Sequence, residues 1–93
     1  MSDDALTISA DLTHAIIERY RREEEKAASR AKQLRELARI AGPGPEAYAW
    51  SKQAEFCDQV ADAYRRAIAG QQGYLKDITG SLEDRGYVAR KEA

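Results

Sequence analysis

Thirteen residues in the second half of the chain recur at alternating intervals of three and four positions. This ladder runs without a break through Ala47, Trp50, Ala54, Cys57, Ala61, Tyr64, Ile68, Gln71, Leu75, Ile78, Leu82, Arg85 and Ala89. A mostly apolar repeat of about 3.5 residues keeps one face of a helix turned toward a neighbouring helix along its whole length. The second half is therefore predicted to form one long helix that packs lengthwise.

The first half carries a matching ladder, and a Gly-Pro-Gly-Pro segment separates the two. The first ladder consists of Ile17, Tyr20, Glu24, Ala27, Ala31, Leu34, Ala38 and Ala41. Gly42 suits the left-handed position after a helix, Pro43 cannot continue the helical hydrogen bonds, and Pro45 suits a first helical turn, leaving Gly44 inside the break. The sequence predicts an all-α fold, an antiparallel two-helix hairpin in a single domain (residues 1–93), with helices at about 10–41 and 46–90 and a turn at 42–45.

Two details of the first helix are open at this level. Ser9 is expected to cap its N-terminus, with Thr7 or Asp11 as alternatives, because short polar side chains can accept hydrogen bonds from the first free amides. The residues up to position 8 are then expected to be extended or disordered. Glu24 interrupts the apolar ladder, and its carboxylate is expected to reach solvent and to have no catalytic role.

Charge and hydropathy exclude two classes of partner. The chain has 15 basic and 16 acidic side chains and a net charge of −1, so no strong field favours nucleic acid or an anionic membrane. No run of about 18 apolar residues exists for membrane insertion, and the start of the chain is acidic where a signal peptide is basic and then apolar. We expect no nucleic-acid partner, no membrane insertion and no cleavable export signal.

No residue pattern indicates an enzyme, a metal site or a bound cofactor. His14 is the only histidine and has no second ligand at a useful spacing, so neither a zinc site nor a Ser/His/Asp triad can be assembled. The pair Asp58 and Asp62 lacks the Glu-x-x-His motif of carboxylate-bridged metal bundles. Cys57 lies on the ladder and is expected to behave as a small buried apolar residue. The chain is predicted to be non-catalytic.

A second apolar ladder follows the first along the second helix, and we call it the outer stripe. It consists of Phe56, Val60, Ala63, Ala67, Gly70 and Tyr74. A helix in a simple hairpin needs one apolar face, whereas a face this wide can contact two neighbours. The outer stripe is therefore predicted to bind another chain. The alternative is that it covers the wide side of the same hairpin or lies as scattered surface residues.

The layout of the chain resembles the small Trp-X-Gly proteins of type VII (ESX) secretion, here of an actinobacterial type. The shared features are the length, the Gly/Pro turn near the middle, Trp50 just beyond that turn and Tyr87 near the C-terminus. Trp50 is followed by Ser-Lys instead of X-Gly. The family's export signal is Tyr-x-x-x-Asp/Glu, whereas Glu92 stands one residue too far from Tyr87 and Asp77 one too near to Tyr74.

This resemblance implies a dimer of hairpins that forms a four-helix bundle and has no catalytic role. The partner would be the chain itself or a related hairpin, and further partners would be a larger exported protein or the secretion ATPase. The protein would be cytoplasmic before export and secreted without a cleavable signal peptide. Two alternatives remain open: an intracellular coiled-coil adaptor or assembly subunit, and a helical member of a regulatory or toxin-inhibiting pair.

Overall fold

Two long helices and a tight turn make up the described part of the molecule. A computed structural model describes residues 3–84 and side-chain exposures for residues 4–81. Helix α1 spans Asp3–Ala41 and helix α2 spans Pro45–Asp84, and the two pack against each other in a body of 63 × 24 × 14 Å. The predicted all-α hairpin is confirmed. Because a helix with its side chains is about 10–12 Å across, the hairpin is one helix thick, and within residues 3–84 no further layer covers either broad side.

The predicted ladders form the contact between the helices. On α2 the ladder residues Ala54, Ala61, Ile68 and Ile78 are buried, and the remaining described ones from Ala47 to Leu75 are half-buried. On α1 the buried ladder residues are Ile17, Ala31 and Leu34. Since burial follows the 3.5-residue spacing over the described ladder positions, apart from the exposed Ala41 at the end of α1, residues seven apart keep the same orientation toward the partner helix.

The start of α1 differs from the prediction. The described helix begins at Asp3, so residues 3–8 are helical, and Ser9 is an interior residue whose carbonyl accepts a hydrogen bond from Thr13 Oγ1 at 2.7 Å. None of the three proposed caps therefore starts the helix. The physical reason is Leu6, which is buried and extends the ladder backward in the same three-and-four spacing.

The glutamate within the first ladder is paired across the hairpin. Arg65 Nε donates to Glu24 Oε2 at 2.7 Å, and the Tyr20 and Tyr64 rings lie beside this pair with centroids 5.5 Å apart. The Glu24 side chain is 24% exposed, so its carboxylate reaches solvent as expected, and it also pairs with a cation from α2.

The turn has the predicted backbone. Gly42 adopts a φ of +75°, which favours glycine, and its N–H donates to the Ala38 carbonyl at 3.2 Å. Gly44 has a φ of +153°, and its carbonyl accepts the first helical hydrogen bond of α2 from the Tyr48 N–H at 3.0 Å. Pro45 is the first residue of α2, where a missing N–H costs nothing.

Trp50 belongs to the hairpin core. Together with Cys57 it packs, partly buried, against a cluster of Ala31, Leu34 and Ala54. Cys57 is a free thiol of intermediate burial. The tryptophan that marks the family resemblance therefore stabilises the contact between the helices near the turn. The expected export residues of the tail, at positions 87 and 92, and the end of the second helix beyond Asp84 lie outside the described residues.

Candidate interaction surface

A groove of about 950 Å³ opens between the helices on one broad side of the hairpin. Its α2 wall includes Phe56 and Val60 of the outer stripe, whereas its α1 wall includes Arg22, Lys26 and Arg30. The α1 wall also includes Glu23 and Glu25, so the groove has an apolar wall and a polar wall that carries charges of both signs. The groove also shows directly that these positions of the two helices face the same side.

Four apolar side chains of α1 continue this side beyond the groove. They stand at whole heptads from groove residues and are Leu12, Ile16, Leu37 and Ile40. Leu12 and Ile40 are fourteen residues from Lys26, on either side of it. Ile16 and Leu37 are fourteen and seven residues from Arg30. Because residues seven apart share an orientation in this hairpin, all four lie on the side of the groove.

The rest of the outer stripe follows from the same spacing. Ala63 and Gly70 are seven and fourteen residues beyond Phe56, and Ala67 and Tyr74 stand in the same relation to Val60. We call this side the groove face; it comprises the outer stripe with Leu12, Ile16, Leu37 and Ile40.

The groove face collects most of the exposed apolar side chains. Among the described residues it carries six of the eight large apolar side chains that are exposed, Ile8 and Tyr48 being the other two. Phe56 is 65% exposed and Ile40 is 68% exposed. Exposed apolar surface gathered on one side of a hairpin is typical of an interaction site.

On the opposite broad side, ion pairs join the two helices. Arg35 forms a bidentate ion pair with Asp58, and Arg65 bonds Glu24, so both described ion pairs between the helices lie here. Asp58 and Arg65 are seven residues apart and point away from the groove. The hydrogen bonds from Arg35 lower the pKa of Asp58, and the same bonds raise the pKa of Arg35. Among the described residues, no ion pair joins the helices across the groove face.

The other side chains considered from the sequence, namely His14 and the acidic residues, do not come together in a site within the described residues. His14 is exposed, and within residues 3–84 no group of three or more His, Cys, Asp or Glu side chains is arranged to hold a metal ion. Neither described helix is long and apolar enough to cross a bilayer. The structure thus adds the α1 half of the groove face to the outer stripe and assembles no other candidate site in this part of the chain.

Comparison of the chain with protein-family models, curated proteins and solved structures gives no significant match.

Proposed function

We propose that the chain is a non-catalytic interaction protein whose groove face packs on a second helical hairpin to form a four-helix bundle. The partner hairpin is the chain itself or a related protein. The observation that carries this proposal is the concentration of exposed apolar side chains on one broad side of a hairpin that is one helix thick. Such a side becomes the interior of a bundle when a second hairpin covers it.

The small core of the single hairpin supports a partner. Its buried apolar residues are five of moderate size and three alanines, and no large described side chain is fully buried. A core of this kind offsets little of the conformational entropy that a chain loses on folding. Burial of the groove face would add the missing apolar contact.

The area of the groove face is sufficient for a specific interface. From Leu12 to Ile40 the face runs for about 42 Å of helix, at ~1.5 Å per residue. With a width of 24 Å, the larger transverse extent of the hairpin, the footprint is on the order of 1,000 Å². A standard stable interface buries about 800 Å² per partner.

The cellular role that we propose is type VII (ESX)-like export. In this role the hairpin is either an exported substrate or the export partner of a larger protein, and it meets the secretion ATPase on the way. It is cytoplasmic before export and is secreted without a cleavable signal peptide. Support comes from the hairpin, from Trp50 just beyond a Gly/Pro turn and from Tyr87 and Glu92 in the tail.

A secretion assay in the native cell tests the export role. Tyr87→Ala should lower the secreted fraction of the full chain, because Tyr87 is the part of the Tyr-x-x-x-Asp/Glu pattern that the tail retains, whereas its acid is displaced by one residue. Tyr48→Ala is the matched control, since Tyr48 is exposed on α2 and lies off the groove face. Equal secretion of both variants and the wild type would remove the tail from the export role. A wild-type chain that stays in the cell, bound to a second hairpin, would favour the intracellular adaptor.

A further inference from the structure

We propose that the hairpin that covers the groove face is a second copy of this chain, antiparallel to the first and related to it by a two-fold axis between Ala63 and Ala67. This inference rests on the proposed function, because it names the partner of the same surface. It goes further by fixing which residues meet.

The outer stripe matches itself when it is reversed. A two-fold axis between Ala63 and Ala67 places each residue of the stripe opposite a defined residue of the partner copy, in the pairs Phe56 with Tyr74, Val60 with Gly70, and Ala63 with Ala67. The central pairs contain small side chains, which let two helices approach closely, and a larger side chain opposes glycine. Aromatic pairs close both ends of the contact. A two-fold interface requires this self-complementarity, whereas an interface with a different chain does not.

The same axis brings opposite charges together on α1. Arg65 bonds Glu24 and the Tyr64 ring contacts the Tyr20 ring, so the centre of the stripe lies level with residues 20–24 of α1. The axis therefore crosses α1 near Arg22. This arginine lines the groove and has no ion pair among the described residues. It would stand beside both Arg22 and Glu23 of the partner copy, so the Glu23 carboxylates of the two copies offset the charge of the two arginines near the axis.

At each end of the contact between the two copies, a polar side chain faces a polar side chain of the partner. Beyond Phe56 the next position of the stripe is Gln53, and the axis places it opposite Asp77 of the partner copy. Both side chains are exposed in the single hairpin. At the rim the side-chain amide of Gln53 can donate a hydrogen bond to the partner's carboxylate. Side-chain size along the outer stripe and polarity at its two ends thus agree on one register of α2 against α2 for two copies.

Cysteine cross-linking of the full chain tests this register. Gln53→Cys and Asp77→Cys are each made in a Cys57→Ser background, which removes the native thiol. Positions 53 and 77 are 24 residues apart, or ~36 Å along α2. Like positions of two copies in this register are separated by the same distance, whereas a disulfide needs Cα atoms within ~7 Å. Under mild oxidation, the two variants produced together should give at least ~10-fold more covalent dimer than either variant alone.

Two results would overturn the register. One is covalent dimer from either variant alone in the same yield as from the pair, and the other is no covalent dimer from the pair while circular dichroism shows intact helices. In the second case, light scattering separates this inference from the proposed function. A noncovalent dimer, or a related hairpin that co-purifies, refutes the register and keeps the function, whereas a helical monomer without any partner refutes both.

Discussion

A charge placed on the groove face should separate the two hairpins, and the same charge on the other side should not. Ala63 and Ala69 are both exposed alanines in the interior of α2, so Ala63→Asp and Ala69→Asp are a chemically matched pair. Ala63 lies at the centre of the outer stripe. Ala69 stands one heptad from Asp62, which pairs with Arg65 and Arg66 away from the groove.

The expected change in the dissociation constant of the dimer comes from comparing the two variants, which share a loss of helix propensity and differ in where the charge lies. Both lose the helix propensity of alanine, up to ~0.7 kcal/mol, and this loss is the same at the two sites. Only Ala63→Asp buries a carboxylate in the interface, and it does so twice, close to the two-fold axis, so that two like charges come together away from water. An uncompensated buried charge costs ~3 kcal/mol or more, so the dissociation constant of the dimer should rise at least ~100-fold. Ala69→Asp should leave this constant within a factor of about three of the wild type, because surface substitutions change stability by about 0.5 kcal/mol or less.

Sedimentation over a dilution series measures the dissociation constant, and circular dichroism measures helicity at each concentration. Equal weakening of the dimer by the two aspartates would contradict the placement of Ala63 in the interface, since the effect would then come from the helix. An Ala63→Asp variant that dimerises like the wild type would also contradict it, because the groove face would then be free surface.

Three further predictions concern the hairpin itself, at a fixed protein concentration. Gly42→Ala should lower the free energy of unfolding by ~1 kcal/mol, because its φ of +75° strains any side chain, whereas Gly73→Ala in an open helical site should raise it by up to ~1 kcal/mol; urea unfolding measures both. Ala54→Leu should cost ~1–3 kcal/mol by overpacking a site with no exposed surface, as seen in thermal melting. Asp58→Asn removes the partner of Arg35. Since pairing lowers the pKa of Asp58 below its ordinary 3.8, its contribution is present above that pH and is lost as pH falls through the lowered value. Urea unfolding should therefore find wild type more stable than this variant at neutral pH and equal to it in strong acid.

The hairpin could be predicted from the sequence because its determinants are local. The ladder sets the face of each helix, and Gly42 with Pro43 ends the first one. The start of α1 was missed because two local signals competed. Ser9 has the side chain of a cap, but Leu6 continues the ladder, and burial of Leu6 against α2 outweighed the capping preference.

The interaction surface could be predicted only in part. The outer stripe is continuous on one helix, so its spacing reveals it. The α1 half is interrupted: charged residues of the groove wall separate Ile16 from Leu37, and only the packing shows which side of α1 joins which side of α2. The pairing of Glu24 with Arg65 is hidden for the same reason, since the two residues are 41 positions apart and meet only in the register of the hairpin.

The molecular mass of the full chain in solution shows whether two hairpins associate through the groove face. Sedimentation equilibrium of the wild type should give twice the chain mass of 10.4 kDa at micromolar concentration, with full helicity. If the partner is a related hairpin, the doubled mass should instead appear when the co-purifying protein is added. A fully helical species that stays at 10.4 kDa at every concentration, alone and with the proteins that co-purify with it, would contradict the account.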